Sequence, residues 1–466
     1  MTDLEIPIAL KQRISSNEAF HYRIVPTKED QGVVELHTDS DAINSLHQEL
    51  KIVLSFDFKL LEIDSELLNS YLSKNYRQTT SVSTSALNQT EFLTTLLNTA
   101  KEFGSSDIHM EPYENFGRIR FRLDGNLKTQ YQIPRSQYPQ LVNQIKIKSD
   151  LDISQKRLSQ DGRISINAAT EQFDIRVSTL PTLHGEKVVL RILKRNAEAV
   201  SLDTLGFTPS ELESYLEGIK NPNGIILISG PTGSGKTTTL YGTLRELNKE
   251  KSNIVTIEDP IEYTLEGINQ VQLKEEIGFD FPKALRTFLR QDPDIIMVGE
   301  IRDEQTANMA VKASLTGHLV LSTIHTNSAW ATISRLTDMG VPAYLLANTL
   351  TMSVAQRLVR KLCSHCKKKQ QAVDSDFPKS FKPDQPIAQH YVSVGCDRCY
   401  FTGYSGRKAI YEIIPITPEL ELAIRDNRLQ IDAYLSQNNI ATLKSNAISL
   451  VRQGVTSVAE VYGILK

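Results

Sequence analysis

The sequence predicts an α/β protein of about three domains, since ordinary domains hold roughly 150 residues each and the chain has 466. Within residues 221–355, short apolar strands alternate with helical stretches, which is typical of a parallel sheet with crossover helices. A segment with four cysteines follows at 361–408, and a mostly helical region is predicted at 409–466. These three observations predict an α/β core with smaller domains attached to it.

Composition and charge exclude several other classes of protein. The chain is 40% hydrophobic and 23% charged, which rules out a disordered or collagen-like chain. Its formal net charge of −3 gives no general attraction to nucleic acid or anionic lipid. No apolar run approaches the ~20 residues of a membrane-spanning helix, and the first residues do not resemble a secretion signal. We therefore expect a soluble protein of the cytoplasm.

The first domain is predicted at residues 1–77 as a small α+β unit. Strand-like segments at Val33–His37 and Phe58–Ile63 flank a helical pattern near Ser40–Leu50. Residues 78–90 are rich in serine and threonine and have few apolar side chains, so they predict a flexible linker. The sequence of this domain indicates no function.

A second α+β domain is predicted at residues 91–200. Apolar residues recur at helical spacing from Leu93 to Phe103, and alternating strands follow at 118–123, 173–178 and 188–193. These strands carry basic side chains, namely Arg118, Arg120, Arg122, Arg176 and Arg191. Exposed arginines often have no specific task, so a solvated sheet face is one interpretation and a binding role is the other.

The core domain, predicted at residues 201–360, carries a phosphate-binding loop. Gly230–Thr237 fits G-x-x-x-x-G-K-[ST] at every fixed position, with an apolar strand before it and a helix-compatible stretch after it. Backbone N–H groups of such a loop and the following helix N-terminus bind polyphosphate. We expect Lys236 to reach the β- and γ-phosphates and the Thr237 hydroxyl to ligate Mg²⁺.

Acidic residues follow two of the later core strands. The strands at Ile254–Ile257 and Asp294–Val298 lead to Glu258 and Glu300, and the strand at Leu319–Thr323 leads to His325. Ligands of open parallel sheets bind at the carboxyl ends of strands, so these side chains are expected at the nucleotide. We predict catalytic roles for Glu258, Glu300, Lys236 and His325, because phosphoryl transfer needs groups that orient metal and water.

The cysteines form two C-x-x-C pairs, Cys363 with Cys366 and Cys396 with Cys399. Four thiolates in this arrangement suit a tetrahedral Zn²⁺ ion, and the segment between the pairs has too few apolar residues to fold alone. His365 is an alternative ligand, and unmetallated thiols remain the other interpretation. We predict a structural zinc site within a subdomain at 361–408.

These motifs, taken in order, resemble one family. The chain is similar to the type II secretion and type IV pilus assembly ATPases in GPTGSGKTTTLY, TIEDPIEY, DIIMVGEIRD, TGHLVLSTIHTN and the tetracysteine segment, and upstream in SSDIHMEP and DIRVSTLPTLHGEKVVLRIL. The similarity spans residues 91–466. The cysteines favour the assembly ATPases over the shorter retraction ATPases, and secretion versus pilus assembly stays open.

The resemblance implies a RecA-like ATPase core, a PAS-like domain before it, and a hexameric ring. It implies that Glu258 and Glu300 act in the family's aspartate-box and Walker B roles and that His318 and His325 form a histidine box. It also implies that the nucleotide is bound by loop residues and arginines, which here are Gly230, Pro231, Thr232, Gly233, Ser234, Gly235, Lys236, Thr237, Thr238, Arg176, Arg191, Arg286, Arg290, Arg302 and Arg407.

The function that these features predict is an ATP-driven motor at the cytoplasmic face of the inner membrane, where platform proteins would be its partners. Arg176 and Arg191 would reach the triphosphate by a domain movement about a hinge at 195–203. Two alternatives remain: a motor on nucleic acid, which the acidic net charge disfavours, and a nucleotide-gated scaffold with little turnover, which the paired glutamates disfavour.

Overall fold

A computed structural model describes residues 6–11, 13–76, 89–168, 171–194, 201–383, 385–396, 399, 402–428 and 430–466. The predicted linker at 78–90 lies outside these ranges except for its last two residues, and so does the 195–200 part of the predicted hinge. The chain divides into two compact units. The first comprises Met1–Asn196, Cys363–Lys368 and Ser393–Ser405, and the second comprises Ala197–Leu362, Lys369–Val392 and Gly406–Lys466. The predicted tetracysteine subdomain is thus divided between the two units.

The N-terminal part of the first unit is a three-stranded sheet with helices. Its elements are α1 (Ile8–Lys11), α2 (Ser16–His21), β1 (Ile24–Asp30), β2 (Val33–Thr38), α3 (Ile43–Val53), β3 (Phe58–Glu62) and α4 (Ser65–Asn75). Strand β1 is antiparallel to β2, and β2 is parallel to β3. Leu36, Leu50 and Leu68 are fully buried in the core that these elements share.

The rest of the first unit is a six-stranded antiparallel sheet in the order β6-β5-β4-β9-β8-β7. Apolar residues of one sheet face pack against the two helices, because alternate residues of a strand point to opposite faces. The α+β prediction is confirmed, and the likeness to PAS domains remains a prediction. The elements are α5 (Gln89–Glu102), β4 (Asp107–Pro112), β5 (Phe116–Leu123), β6 (Asn126–Pro134), α6 (Tyr138–Lys148), β7 (Gln160–Ala168), β8 (Glu171–Thr182) and β9 (Gly185–Lys194).

The second unit is built on a seven-stranded sheet. After a 3₁₀ turn at Leu202–Thr204, its elements are α7 (Pro209–Gly218), β10 (Gly224–Ser229), α8 (Lys236–Leu247), β11 (Ile254–Glu258), β12 (Asn269–Gln272), α9 (Phe281–Phe288), β13 (Ile295–Val298), α10 (Glu304–Leu315), β14 (Leu319–Ile324), α11 (Ala331–Asp338), α12 (Ala343–Thr349) and β15 (Leu350–Leu362). The four strands predicted between 221 and 355 correspond to β10, β11, β13 and β14.

The remaining elements lie after β15. They are β16 (Lys368–Gln371), β17 (Gln389–Val392), β18 (Tyr404–Pro415), α13 (Pro418–Arg425), α14 (Asp432–Gln437), α15 (Leu443–Arg452) and α16 (Val458–Leu465). Strands β16 and β17 form a small sheet of their own. The region predicted as helical from residue 409 therefore begins with the end of a strand.

The large sheet has the order β12-β11-β13-β14-β10-β15-β18, and the pairs from β12 to β15 are parallel. Strands β10, β11, β13 and β14 are buried along their whole length. Hydrophobic clusters lie on both faces of this sheet, which explains why its strands read as continuous apolar runs. Among the described residues, no helix is both long enough and apolar enough to cross a membrane.

Candidate nucleotide-binding site

The phosphate loop joins β10 to the N-terminus of α8. Its backbone has φ values of +150° at Gly230, +79° at Gly233 and +90° at Gly235, a region that favours glycine. Space also requires glycine at the first position, because a Cβ on Gly230 would lie 2.5 Å from the Gln356 carbonyl oxygen. Strand β10 pairs with β15, which brings that neighbour alongside the loop.

Lys236 begins α8 and is buried. Its Nζ donates to the carbonyl oxygens of Gly230 at 2.8 Å and Pro231 at 3.2 Å. Burial lowers the pKa of Lys236, Glu300 raises it and Arg357 lowers it further. Thr237 and Thr238 are exposed on the first turn of the helix. The loop thus presents a cation and exposed hydroxyls at a helix N-terminus, which is an arrangement that binds phosphate.

Glu300 lies two residues after β13, among basic side chains. Its carboxylate accepts a hydrogen bond from Arg302 and lies 3.5 Å from His325 Nε2. Burial alone would raise the pKa of Glu300, but Arg302, His325 and Lys236 outweigh it and hold the pKa below its ordinary value. Arg302 also lies 3.7 Å from Asp259. The structure therefore brings together Lys236, Glu300, Arg302 and His325, and an ionised Glu300 can hold a metal-bound or attacking water.

Glu258, the last residue of β11, is 3% exposed. One carboxylate oxygen accepts from Thr256 Oγ1 at 2.6 Å and from Gln270 Nε2 at 3.1 Å, and the other accepts from the Tyr241 hydroxyl. Burial and the charge of Glu258 raise the pKa of Tyr241, so this hydroxyl remains a donor. Glu258 is held by three donors in this structure, and its catalytic role stays a prediction.

Other predicted residues of the second unit lie elsewhere. His318 precedes β14 and contacts the Ala313 carbonyl oxygen at 2.8 Å, so it lies at the opposite end of the strand from His325. Arg286 and Arg290 are exposed on and just after α9, and Arg290 Nη1 donates to the Arg286 carbonyl oxygen at 2.9 Å. Arg407 is exposed on β18. Their roles at the nucleotide stay predictions.

Arg176 and Arg191 belong to the first unit. Cross-strand pairing places Arg122, Asp107, Arg191, Arg176 and Arg163 in one row across five strands. Directly paired residues of neighbouring antiparallel strands share a sheet face. Asp107 accepts from Arg191 Nε at 2.9 Å and is nearly buried, so it holds that guanidinium in place. The SSDIHMEP motif supplies this carboxylate.

The other acidic residue of that motif has a similar position. Glu111 accepts from Arg118 at 3.0 Å and from Arg120 at 2.5 Å, and it lies 3.7 Å from Lys187. Arg122 Nε lies 3.5 Å from Asp107. The arginines predicted on this sheet thus form a polar face whose charge is partly neutralised by β4.

The four cysteines form a cluster in which all sulfur atoms lie within 4.8 Å of one another. The Sγ–Sγ distances are 3.9 Å for Cys363–Cys396, 3.7 Å for Cys366–Cys399 and 3.8 Å for Cys396–Cys399. Tetrahedral zinc with Zn–S bonds of about 2.3 Å places its sulfur ligands roughly 3.8 Å apart. The cluster is therefore compatible with zinc, and His365 is not part of it.

Sequence reasoning missed several polar residues around the loop. These are Tyr241, Thr256 and Gln270, which hold Glu258, and Gln356 and Arg357, which lie beside Gly230. Tyr241 lies in the motif GPTGSGKTTTLY, so its position on α8 could have drawn attention to it. Gln356 and Arg357 gave no signal, because only the strand order places β15 next to the loop.

The comparisons with known proteins agree with this geometry. A family model described as "Type II/IV secretion system protein" matches residues 84–463. The chain belongs to this family. The resemblance inferred from the motifs is thus confirmed. Similar proteins include the type IV pilus assembly ATPase PilB of Pseudomonas aeruginosa, at 46% identity over 80% of this chain and 67% of its own length.

The same family provides further relatives and solved structures. The type II secretion system ATPase E of Vibrio cholerae is 43% identical over 81% of this chain and 75% of its own length. The chain spans 65% of PilB from Acinetobacter baylyi. The pilus retraction motor PilT with bound ADP has 27% identity and a TM-score of 0.54, covering 79% of this chain and 95% of its own. The ATPase DotB of Legionella pneumophila, at 20% identity, TM-score 0.60 and coverage of 80% and 95%, supports the fold alone.

Proposed function

We propose that the chain is the ATP-driven motor of pseudopilus or pilus assembly and works as a homohexamer. It is an ATPase by family membership, since its relatives are named as ATPases of type II secretion and of type IV pilus assembly. The observation that carries the proposal is the phosphate loop, whose Lys236 lies within the electrostatic influence of Glu300. A pure nucleotide-binding scaffold has no need of such a carboxylate.

The roles of individual residues follow from this proposal. Lys236 binds the β- and γ-phosphates, Thr237 ligates Mg²⁺, and Glu300 orients the attacking water, with Arg302 and His325 beside it. Arginines neutralise the charge that spreads over phosphate oxygens in a loose transition state. On the resemblance, these are Arg176, Arg191, Arg286, Arg290, Arg302 and Arg407, together with Glu258 of the aspartate box and His318 of the histidine box.

Location and partners are part of the same proposal. The motor would work at the cytoplasmic face of the inner membrane, bound to platform proteins rather than inserted in the bilayer. Zn²⁺ would be held by Cys363, Cys366, Cys396 and Cys399, with a purely structural role, because four cysteine ligands leave no open position for chemistry.

The test is Mg²⁺-dependent ATP hydrolysis by the purified chain. Replacing Lys236 with alanine removes the charge that binds the phosphates, so turnover should fall to background. Lys361→Ala removes an exposed lysine of the same unit and should leave the rate unchanged. Equal rates for wild type and Lys236→Ala would contradict the site, and added single-stranded DNA should not stimulate the wild type. Light scattering in the presence of a non-hydrolysable ATP analogue should give the mass of six chains of 52.3 kDa.

A further inference from the structure

Arg357 lies against the phosphate loop, on the β15 segment that runs beside it. A Cβ on Gly230 would lie 3.1 Å from Arg357 Nη1 and 2.7 Å from Ser234 Oγ. The guanidinium and the serine hydroxyl therefore both lie beside the first glycine of the loop. Neither the motifs nor the resemblance to the family assigned a role to Arg357.

In the described part of the chain, the charge of Arg357 has no close counter-ion. Its Nη1 donates to the Gln356 carbonyl oxygen at 3.1 Å, and its Nη2 donates to the Asn327 carbonyl oxygen at 3.1 Å. No carboxylate among the described residues lies within ion-pair distance of it, and Glu412 acts only from farther away. Burial lowers the pKa of Arg357, because the charged form of a guanidinium that loses water without gaining a close counter-ion is destabilised.

Two neighbouring groups are also incompletely satisfied. Ser234 is 3% exposed, and its Oγ has no hydrogen-bond partner among the residues that the structure describes. Lys236 donates only to loop carbonyl oxygens and, within the described part of the chain, it has no carboxylate at ion-pair distance. Buried polar groups are normally paired, so an unpaired hydroxyl beside two cations without close carboxylates favours the binding of an anion at this place.

We propose that Arg357 binds the terminal phosphates of the nucleotide from the same subunit as Lys236. The inference rests on the proposed nucleotide binding at the loop and adds a second cation to it. The planar guanidinium can donate two parallel hydrogen bonds to phosphate oxygens, which a lysine cannot do. When the nucleotide binds, charged phosphate oxygens take the place of the neutral Gln356 and Asn327 carbonyl oxygens as acceptors. Charged acceptors form the stronger hydrogen bonds.

The experiment is a calorimetric titration of the full chain with Mg²⁺ and a non-hydrolysable ATP analogue. Arg357→Gln should weaken binding at least about ten-fold, the range expected for a lost charge-assisted hydrogen bond. Arg357→Lys keeps the charge but loses the paired hydrogen bonds, so its affinity should lie between that of wild type and that of Arg357→Gln. Arg425→Gln is the matched control, because Arg425 is exposed and hydrogen-bonds Asn348 at 2.7 Å away from the loop.

A structural role would give a different pattern. Glutamine can still donate to the Asn327 carbonyl oxygen, so if Arg357 only ties that loop to the sheet, Arg357→Gln should bind no worse than Arg357→Lys. That result, or wild-type affinity in Arg357→Gln, overturns the inference. Lys236→Ala in the same titration separates the two proposals. Failure of the wild type to bind removes the proposed function, whereas normal binding by wild type and Arg357→Gln with loss in Lys236→Ala removes only the role of Arg357.

A second measurement needs no variant. Phenylglyoxal modifies accessible arginines, and mass spectrometry reports the modified fraction of each arginine. The ATP analogue should protect Arg357 in the wild type and leave Arg425 equally modified. Unchanged modification of Arg357 at saturating analogue would overturn the inference even if Arg357→Gln did not fold.

Discussion

Glu258 ends strand β11 and Glu300 follows the neighbouring parallel strand β13, yet their surroundings differ. Glu258 is buried and accepts hydrogen bonds from three side chains, whereas Glu300 is partly accessible and lies among Arg302, His325 and Lys236. A carboxylate with free access is better placed to orient water than one held by internal donors. Both glutamates were predicted to be catalytic, and at the scale of single residues we expect Glu300 to be the one that acts in the chemical step.

Glu300→Gln should keep ATP binding and lower the rate of hydrolysis by at least ~10²-fold, because it removes a group that acts in the reaction step.

The folded-state pKa of Glu300 is lowered, so its ionised form stabilises the fold above the unfolded-state pKa, and that contribution disappears as pH falls through the folded-state pKa. When urea unfolding is measured from neutral to acidic pH, the free energy of unfolding should therefore fall less steeply in Glu300→Gln than in wild type. Glu276→Gln, at an exposed position, is the control, and an unchanged pH slope in Glu300→Gln would contradict the expectation.

Tyr241→Phe tests the hydrogen bonds of Glu258. Removing the hydroxyl leaves a buried carboxylate with one donor fewer, so the free energy of unfolding should fall by about 1–3 kcal/mol. Tyr263→Phe is a matched control, because its ring packs 4.6 Å from that of Tyr241 but its hydroxyl makes no hydrogen bond within the described residues. Denaturant unfolding measures both variants, and equal losses would mean that the Tyr241 hydroxyl contributes nothing specific.

At the scale of elements, strand β15 takes part in two features of the fold. Its middle residues Gln356 and Arg357 border the phosphate loop, and its end leads directly into Cys363 of the cysteine cluster. The cysteine segments have little apolar side chain to bury, so a metal ion would supply their folding free energy. The metal content of the purified protein therefore reports on how these cysteine segments are stabilised.

We expect one zinc ion per chain in protein purified without chelator. Cys396→Ser should lower the zinc content and the solubility, while binding of the ATP analogue survives, because the four cysteines belong to the first unit and the phosphate loop to the second. His365→Ala is the matched control and should leave the zinc content unchanged, since His365 is outside the cluster. Metal analysis that finds no zinc in the wild type, or equal zinc in Cys396→Ser, would refute the site.

At the scale of the whole molecule, the chain has separate hydrophobic cores. One lies between the six-stranded sheet and helices α5 and α6 of the first unit, and others cover the two faces of the seven-stranded sheet in the second unit. Units with their own cores unfold with their own transitions, and a ligand stabilises only the unit that binds it. Calorimetry can therefore report which unit contacts the nucleotide.

We expect the ATP analogue to raise the unfolding temperature of both units, because the resemblance implies that Arg176 and Arg191 of the first unit bind the nucleotide. In Arg191→Ala, the transition of the first unit should no longer rise, while that of the second unit still does. Arg157→Ala, at an exposed position of the first unit, is the control and should behave as wild type. If the ATP analogue does not raise the unfolding temperature of the first unit even in the wild type, these arginines serve only to pair with residues such as Asp107.

The sequence by itself determined the phosphate loop, the cysteine pairs and the family, because each depends on residue types at short, fixed spacing. Gly230–Thr237 encodes its own turn, and the two C-x-x-C pairs encode their ligands. The sequence also predicted the strands of the large sheet, since strands buried on both faces are continuously apolar. The acids at strand ends could be placed at one edge from the parallel topology alone.

The tertiary structure alone decided which distant residues meet. Strand order places Arg357 of β15 beside Gly230, and cross-strand register aligns Asp107 with Arg191. It also gives Glu258 three internal donors. These relations depend on pairings between segments far apart in the chain, and the pattern of a single strand contains no information about its neighbours in the sheet.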